Sequence, residues 1–321
     1  MSEDAAKEAK RLSAALSRFA IAITALNLFG HFFLGFEASW LTPLVALATS
    51  YSMETGLEAL DAWANGRKPR FLGGGPRGMV MFLRSAHITA LACGMLLYAN
   101  SRLWAIVLAV VVAIGSKYVF RVRISPKSTR HVFNPSNVGI TVTLLLLPWV
   151  GIAPPYQFTE SLPGLWGWLP VAIILTTGSL LNFKMTRRGP LILAWFAGFC
   201  LQAVVRNAIH GTNIESELLV TTGVAFVLFT FYMVTDPMTT PKTAKGQVLF
   251  GLAVAAGYAM FMELHIVFGL FYSLTLVCAV RGMVIAVRSR SSRLAPKAAV
   301  ETPVPVGEPK REAALSGSPS P

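Results

Sequence analysis

Two short polar stretches interrupt the apolar sequence and carry the side chains best suited to chemistry. Hinge 1 is RHVFNPSNVG (residues 130–139), and hinge 2 is TDPMTTPKTAKG (residues 235–246). Hinge 1 lies between two long apolar runs, and hinge 2 directly follows another. Polar groups are costly at membrane depth and usually have a purpose there. The two hinges therefore predict a site inside a membrane protein.

Hinge 1 has the residue order expected where a helix begins. Pro135 lacks an amide hydrogen and suits the first helical turn, and Asn134 before it is a natural N-cap. A helix starting there directs unpaired backbone amides and its positive dipole end toward an anion or phosphate. Arg130 and His131 add positive charge beside it.

Hinge 2 has the order expected where a helix ends. Pro237 disfavours a helical conformation at Asp236, so the preceding helix is predicted to end near Thr235. Both hinges are predicted to lie on the same side of the membrane and to converge on one ligand. The alternative is two capped helix ends joined by loops, without a ligand. The residues predicted to lie nearest a ligand are Asn134, Pro135, Asn137, Thr235, Asp236 and Lys245.

The composition places these hinges in a membrane protein. Hydrophobic residues make up 54% of the 321 residues, charged residues only 13%, and the mean hydropathy is +0.58. Soluble domains carry about 25% charged residues. Apolar runs of about 18–25 residues are candidates for membrane-spanning helices. We predict an all-α polytopic fold with ten of them, near 14–34, 40–60, 79–99, 102–120, 136–153, 164–182, 190–208, 217–235, 246–262 and 265–287.

The basic residues support one orientation. With ten spans, nearly all of the 28 lysines and arginines fall on one set of loops and on the two termini. The exceptions are Arg102 and Arg206 on the opposite side, with Arg84 and Arg281 inside predicted spans. By the positive-inside rule both termini are cytoplasmic, in a bacterial inner membrane. The net charge of +13 therefore indicates contact with the lipid bilayer and predicts no nucleic-acid partner.

The chain divides into three predicted regions. Residues 1–13 form a polar N-terminal segment, residues 14–288 the transmembrane domain, and residues 289–321 a disordered tail rich in Pro, Ala and Ser. The three cysteines are isolated inside predicted spans, and the sequence predicts no metal site. They are Cys93, Cys200 and Cys278.

Charged residues inside predicted spans form a second group of interest. Glu54, Glu58 and Asp61 share one face of the second span, and Arg84 lies at a similar depth in the third. We predict a buried structural ion pair between Arg84 and the two glutamates, because an unpaired charge there is costly. Part of a proton or cation path is the alternative.

The hinge motifs resemble those of a known family. FNPSNVG after a basic loop, followed by FYMVTDPMTTPKTAKG (residues 231–246), is similar to motifs in the membrane subunits RnfD and NqrB. RnfD belongs to the RnfABCDGE electron-transport complex, and NqrB to the sodium-pumping NADH:quinone reductase. Standalone relatives occur in enediyne biosynthetic clusters. The resemblance covers residues 15–287.

The resemblance implies both a fold and a function. The fold is two related five-helix halves, similar to urea and ammonium channels. The function is flavin-associated electron transport coupled to Na+ or H+ movement, as a component of an oxidoreductase complex with other membrane electron-transport subunits.

One departure from the family concerns the flavin. The family attaches FMN through the last threonine of a Ser-Gly-Ala-Thr motif, whereas this chain has only TTGS (residues 176–179) and TTGV (residues 221–224). FMN or riboflavin is therefore expected to bind without a covalent link. The alternatives are a channel or transporter for a small solute or natural product, and a structural subunit without chemistry.

Overall fold

The structure is a computed structural model that describes residues 3–125 and 128–294. Within these residues the chain is almost entirely helical. The helices are α1 (Glu3–Phe29), α2 (Leu41–Ala64), α3 (Gly75–Leu96), α4 (Leu103–Val119), α5 (Pro135–Leu146), α6 (Leu169–Ser179), α7 (Gly189–His210), α8 (Ile214–Leu219), α9 (Val224–Leu228), α10 (Ala244–Glu263) and α11 (Gly269–Leu294).

Short irregular elements extend or connect these helices. Wider π-helical turns continue α1, α6 and α9 through Gly30–Leu34, Leu180–Met185 and Phe229–Met233. Short 3-10 turns occupy Arg70–Leu72, Pro155–Phe158, Gly164–Trp168 and Val220–Thr222.

Two small antiparallel ribbons complete the fold. In one, β1 (Leu97–Tyr98) pairs with β4 (Gly151–Ile152). In the other, β2 (Arg121–Ser125) pairs with β3 (Ser128–His131), with Val122 opposite Arg130. The second ribbon carries the chain from α4 into hinge 1.

Among the residues that the structure describes, six helices are long and apolar enough to cross a membrane, so the chain is an all-α membrane protein. They are Lys7–Leu34, Gly75–Leu96, Gly164–Met185, Gly189–His210, Ala244–Glu263 and Gly269–Ser289. A bent pair, Ile214–Thr222 and Val224–Met233, makes a seventh if it counts as one span; its halves meet at 66°. Length and composition by themselves therefore identify six or seven of the ten predicted spans.

Three helices at predicted spans, α2, α4 and α5, do not meet these criteria of length and composition, each for a physical reason. The 12 residues of α5 rise about 18 Å, well short of a hydrocarbon core about 30 Å thick. The 17 residues of α4 are also few for a full crossing. In α2 the carboxylates of Glu54, Glu58 and Asp61 interrupt an otherwise apolar sequence.

The ends of the helical region differ from the predicted boundaries. The first helix begins at Glu3, inside the segment predicted to precede the membrane domain. The last helix continues to Leu294, so residues 289–294, expected in a disordered tail, are helical. The rest of the predicted tail, 295–321, lies outside the described residues.

Glycines allow two helix pairs to approach closely. A Cβ atom on Gly251 of α10 would lie 2.7 Å from the Leu191 carbonyl oxygen and 2.9 Å from the Trp195 nitrogen of α7. In α5, a Cβ on Gly139 would collide with the Ala109 carbonyl of α4. Small residues at such crossings bring backbones together and favour packing in a membrane. The contact at Gly139 holds α5, and with it hinge 1, in position.

Candidate functional site

Hinge 1 begins a helix as predicted. Asn134 caps α5: its Oδ1 accepts hydrogen bonds from the Asn137 amide at 3.1 Å and the Ser136 hydroxyl at 2.9 Å. Pro135 occupies the first helical position. The cap satisfies an amide that the helix itself leaves unpaired, which matters most where water is scarce.

The same asparagine joins the two hinges. Its Nδ2 donates to the carbonyl oxygen of Met233 at 3.1 Å, at the end of the π turn that leads into hinge 2. The imidazole Nε2 of His131 lies 3.7 Å from Asp236 Oδ2. The two hinges are therefore in contact, and their convergence on one ligand stays a prediction.

Asp236 organises the turn of hinge 2. Its carboxylate accepts the Met238 amide at 3.0 Å and the Thr239 hydroxyl at 3.2 Å, and its carbonyl accepts the Thr240 hydroxyl at 2.6 Å. Burial alone would raise the pKa of Asp236, but His131 and these donors lower the pKa below its usual 3.8. The carboxylate is therefore ionised at neutral pH.

A cavity of about 990 Å³ lies against both hinges. His131, Asn134, Pro135 and Ser136 line it from hinge 1. Thr235, Asp236, Pro237 and Met238 line it from hinge 2. Its other walls come from one face each of α1, α3 and α6 and from the π turn after α9. The two hinges and these four elements thus form most of the cavity wall.

Most of the cavity wall is apolar, with an aromatic pair at one side. The rings of Phe19 in α1 and Tyr232 in the π turn are stacked, with centroids 4.5 Å apart. The Tyr232 hydroxyl lies 2.7 Å from the Thr177 hydroxyl of α6. Asn182 joins the same walls by donating to the carbonyl of Phe231 at 2.6 Å. This side offers a flat aromatic surface with hydroxyl groups at its edge.

The remaining wall is polar and charged. Lys117 Nζ of α4 lies 2.6 Å from Glu54 Oε2 of α2, and the Tyr118 hydroxyl donates to Glu54 at 3.3 Å. The charged and polar side chains that line this end are Glu54, Arg70, Lys117, Tyr118, Arg121 and His131. The cavity is therefore amphipathic, with a long apolar part and a hydrogen-bonding end.

The structure brings four of the six predicted ligand residues to the cavity. Asn134, Pro135, Thr235 and Asp236 line it. Asn137 points elsewhere: its Nδ2 donates to the Phe271 carbonyl at 3.0 Å and the Thr275 hydroxyl at 2.7 Å, which joins α5 to α11.

Lys245 also lies away from the cavity lining. It is exposed in the first turn of α10, which Thr243 caps by accepting the Gly246 amide at 3.2 Å. The exposed side chain of Lys245 therefore does not contact the cavity.

The predicted ion pair with Arg84 is wrong. Arg84 donates instead to the Ser13 carbonyl at 2.7 Å and to the hydroxyl of Ser17 on α1. Glu54 pairs with Lys117, while Glu58, which is fully buried, pairs with Arg67 and Arg70. The face of α2 that carries the glutamates packs toward α4 and the following loop, whereas Arg84 faces α1.

Sequence analysis did not identify several of the residues that line the cavity. Tyr232, Thr177 and Asn182 are polar groups within predicted spans, which was the one signal that could have identified them. Phe19 carries no such signal, because an aromatic residue in an apolar run is ordinary. Lys117 resembled a topology-determining residue of a cytoplasmic loop.

The arrangement can enclose a ligand with an apolar or aromatic body and a polar end. It can exclude water from that body and hold its polar end through hydroxyl, amide and charged groups. A comparison of the chain with protein-family models finds no match, and a comparison with curated proteins also finds none.

Proposed function

We propose that this chain is a ten-span membrane subunit of the RnfD/NqrB type that binds a flavin without a covalent link and takes part in electron transport. The observation that carries the proposal is the amphipathic cavity of about 990 Å³ against both hinges. Its volume lies at the upper end of the roughly 300–1,000 Å³ typical of small-molecule sites.

Helix packing supports ten spans arranged as two halves. A helix covers most of each predicted apolar run. The contacts also recur in the same order: α2 packs on α4 as α7 packs on α10, α4 on α5 as α10 on α11, and α1 on α3 as α6 on α9. This recurrence is expected of two related five-helix units, α1–α5 and α6–α11, in which the bent pair α8–α9 acts as one element.

The donor groups of the cavity suit a flavin. Tyr232 and Phe19 offer a flat surface to an aromatic ring system, with the Thr177 and Tyr232 hydroxyls at its edge. Tyr118 and Lys117 stand at the polar end. A bound flavin supplies one- and two-electron transfer chemistry. The chain itself binds and orients the ring and keeps water from it.

The proposal places electron partners outside this chain. The three cysteines are isolated, and the described residues contain no group of three or more His, Cys, Asp or Glu side chains that could hold a metal ion. In this proposal the redox group is therefore the bound cofactor. Other membrane electron-transport subunits would deliver and remove electrons, with Na+ or H+ movement coupled to that flow.

Flavin binding is tested with the purified protein in detergent. Riboflavin and FMN are titrated separately, and their fluorescence and absorption spectra are recorded. We expect saturable quenching, because stacking on Tyr232 perturbs the ring. Tyr232→Leu should weaken binding about three- to tenfold, the range expected for loss of one aromatic pair.

Tyr272→Leu serves as the matched control. Tyr272 contacts Phe261 and does not line the cavity, so this variant should bind as the wild type does. Absence of quenching and of flavin absorbance with both compounds would count decisively against the proposal.

A transporter for an amphipathic solute is the second candidate. The observation that favours it is the 66° break at Gly223 between α8 and α9, next to a π turn that lines the cavity. Broken helices at membrane depth commonly form substrate sites in transporters. Solute flux into proteoliposomes that survives flavin depletion and stops in Asn134→Ala would favour this function over electron transport.

A further inference from the structure

Two arginines hold the far side of hinge 2. Arg188, between α6 and α7, donates to the carbonyl of Pro241 and, at 3.2 Å, to that of Pro237. Arg281 of α11 donates to the Thr239 carbonyl at 2.7 Å. These acceptors are two residues apart along the chain, so neighbouring carbonyls lie within about 7 Å. Two guanidinium groups thus share one short loop.

Two more arginines stand close to this pair. Arg130 of β3 lies two residues before Val132, whose side chain packs against Gly282, and its charge acts on both Arg188 and Arg281. Arg11 of α1 lies one turn from Glu8, which pairs with Lys242 of hinge 2 at 2.9 Å and whose charge acts on Arg11, Arg130 and Arg188. We define the basic cluster as Arg11, Arg130, Arg188 and Arg281.

The acids near the basic cluster are already engaged. Asp236 lies 3.7 Å from His131, and Glu8 pairs with Lys242. Within the described part of the chain, none of the four arginines forms an ion pair. Asp236 and Glu8 act electrostatically on these arginines, but two carboxylates offset only part of four positive charges.

Burial makes this imbalance unusual. Arg188 is only 4% exposed, and its Nε is buried with no hydrogen-bond partner among the described residues; the Nε of Arg11 is in the same condition. Burial lowers the pKa of Arg188 to about 10, with Arg130 and Arg281 adding repulsion and Asp236 and Glu8 opposing it. A buried cation whose charge is only partly offset is costly, and a bound anion reduces that cost.

We propose that the basic cluster binds a phosphate group, on the side of hinge 2 away from the cavity. The planar fork of arginine matches two phosphate oxygens and forms short charge-assisted hydrogen bonds with them. None of the four arginines lines the cavity, so this anion site is separate from the proposed flavin site and does not depend on it. The phosphate comes either from a lipid headgroup or from a soluble compound.

A purely structural role for the basic cluster explains only part of it. Clamping hinge 2 accounts for the hydrogen bonds of Arg188 and Arg281. It does not account for Arg130, whose side chain has no hydrogen bond within the described residues, or for the unpaired Nε of Arg11. A phosphate bound at the basic cluster gives Arg130 an anionic partner and offsets the charge that the clamp leaves unbalanced.

Arg130→Gln is the variant that tests the site. Because Arg130 makes no side-chain hydrogen bond in the described residues, the variant should fold and, without phosphate, unfold at the same or a higher temperature than the wild type. Arg123→Gln is the matched control: it removes the same charge from β2 of the same ribbon, where Arg123 is exposed and stands opposite Thr129 rather than beside Arg130.

One arm uses full-length protein in detergent, with inorganic phosphate and pyrophosphate titrated against sodium chloride of equal ionic strength. The other compares nanodiscs of phosphatidylglycerol with nanodiscs of phosphatidylcholine. The melting temperature is the readout, because a ligand that binds the folded state raises it. We expect a rise of several degrees in the wild type and Arg123→Gln, and at least roughly tenfold weaker binding in Arg130→Gln.

The two arms separate the sources of the phosphate. A rise with soluble anions identifies a soluble compound. A rise only with phosphatidylglycerol identifies an anionic lipid headgroup, because phosphatidylcholine offsets its phosphate with a choline cation. If neither arm raises the melting temperature of the wild type, the proposal is wrong. It is also wrong if Arg123→Gln weakens binding as much as Arg130→Gln does, because the positive charge would then act in general and not through a specific site.

Discussion

Asn134 satisfies groups from both hinges with a single side chain. Its oxygen accepts from Asn137 and Ser136, and its nitrogen donates to Met233, which is 99 residues away in the sequence. In a membrane interior each of these groups would be costly if left unpaired. One amide therefore starts α5 and joins it to hinge 2.

Asn134→Ala and Asn134→Ser separate these two contributions. Alanine removes the cap and the link to Met233, whereas serine keeps a cap oxygen and loses only the link. We expect alanine to destabilise the protein more than serine does, by about 1 kcal/mol, the usual value of a cap. Thermal unfolding in detergent measures the difference. Equal losses in the two variants would mean that the cap contributes nothing.

At the same scale, the ionisation of Asp236 limits what it can do. Its pKa lies below 3.8, so its stabilising contribution is present at neutral pH and is lost only as the pH falls through that folded-state pKa. Asp236 therefore acts near pH 7 as a fixed negative charge, and it does not exchange a proton there.

Among the elements, α5 depends most on close packing. It is short, its N-terminus forms part of hinge 1, and Gly139 presses its backbone against Ala109 of α4. The Ala109 carbonyl leaves no room for a side chain at Gly139. The contact therefore controls the position of the hinge residues that line the cavity.

Gly139→Ala tests this dependence. The added methyl group must displace α4 or α5, so we expect a loss of about 1–3 kcal/mol in stability, as for other overpacked sites. Gly115→Ala in α4 is the control, because no atom lies within 4 Å of the place that the added methyl group would occupy. It should be neutral or slightly stabilising through helix propensity. Melting temperatures that fall equally in both variants would contradict the packing argument.

The elements also show how far the sequence can be used for prediction. The start of α5 at Pro135 and the end of the preceding helix before Asp236 were predictable, because capping and proline effects are local. The partners of Glu54, Glu58 and Arg84 were not. Equal depth in adjacent helices does not specify which way each side chain faces, and α1, α4 and the loop after α2 provided the partners.

For the whole molecule, the number of crossings is the main prediction. Ten spans place the loop after α2 and the start of α10 on one side, and the loop after α3 on the other. Single cysteines at Gly73, Lys245 and Ser101 in a cysteine-free background report these positions through a membrane-impermeant thiol reagent. We expect Ser101→Cys to react in intact spheroplasts, and Gly73→Cys and Lys245→Cys only in inverted vesicles.

The position of Gly73 decides between the topologies. If α2 with its three carboxylates does not cross, Gly73→Cys reacts in intact spheroplasts instead, and the ten-span arrangement fails. The native Cys93, Cys200 and Cys278 are removed first, so that their reaction does not obscure the result.

The sequence by itself determined the membrane class, the two hinges and the helix boundary at each, because hydropathy, capping and proline constraints act over a few neighbouring residues. Tertiary structure alone decided that α1, α3, α6 and the π turn enclose a cavity against both hinges. It also decided that Arg188 and Arg281 meet at hinge 2. Those relations join residues far apart in the chain, and they depend on which face each helix turns toward its neighbours.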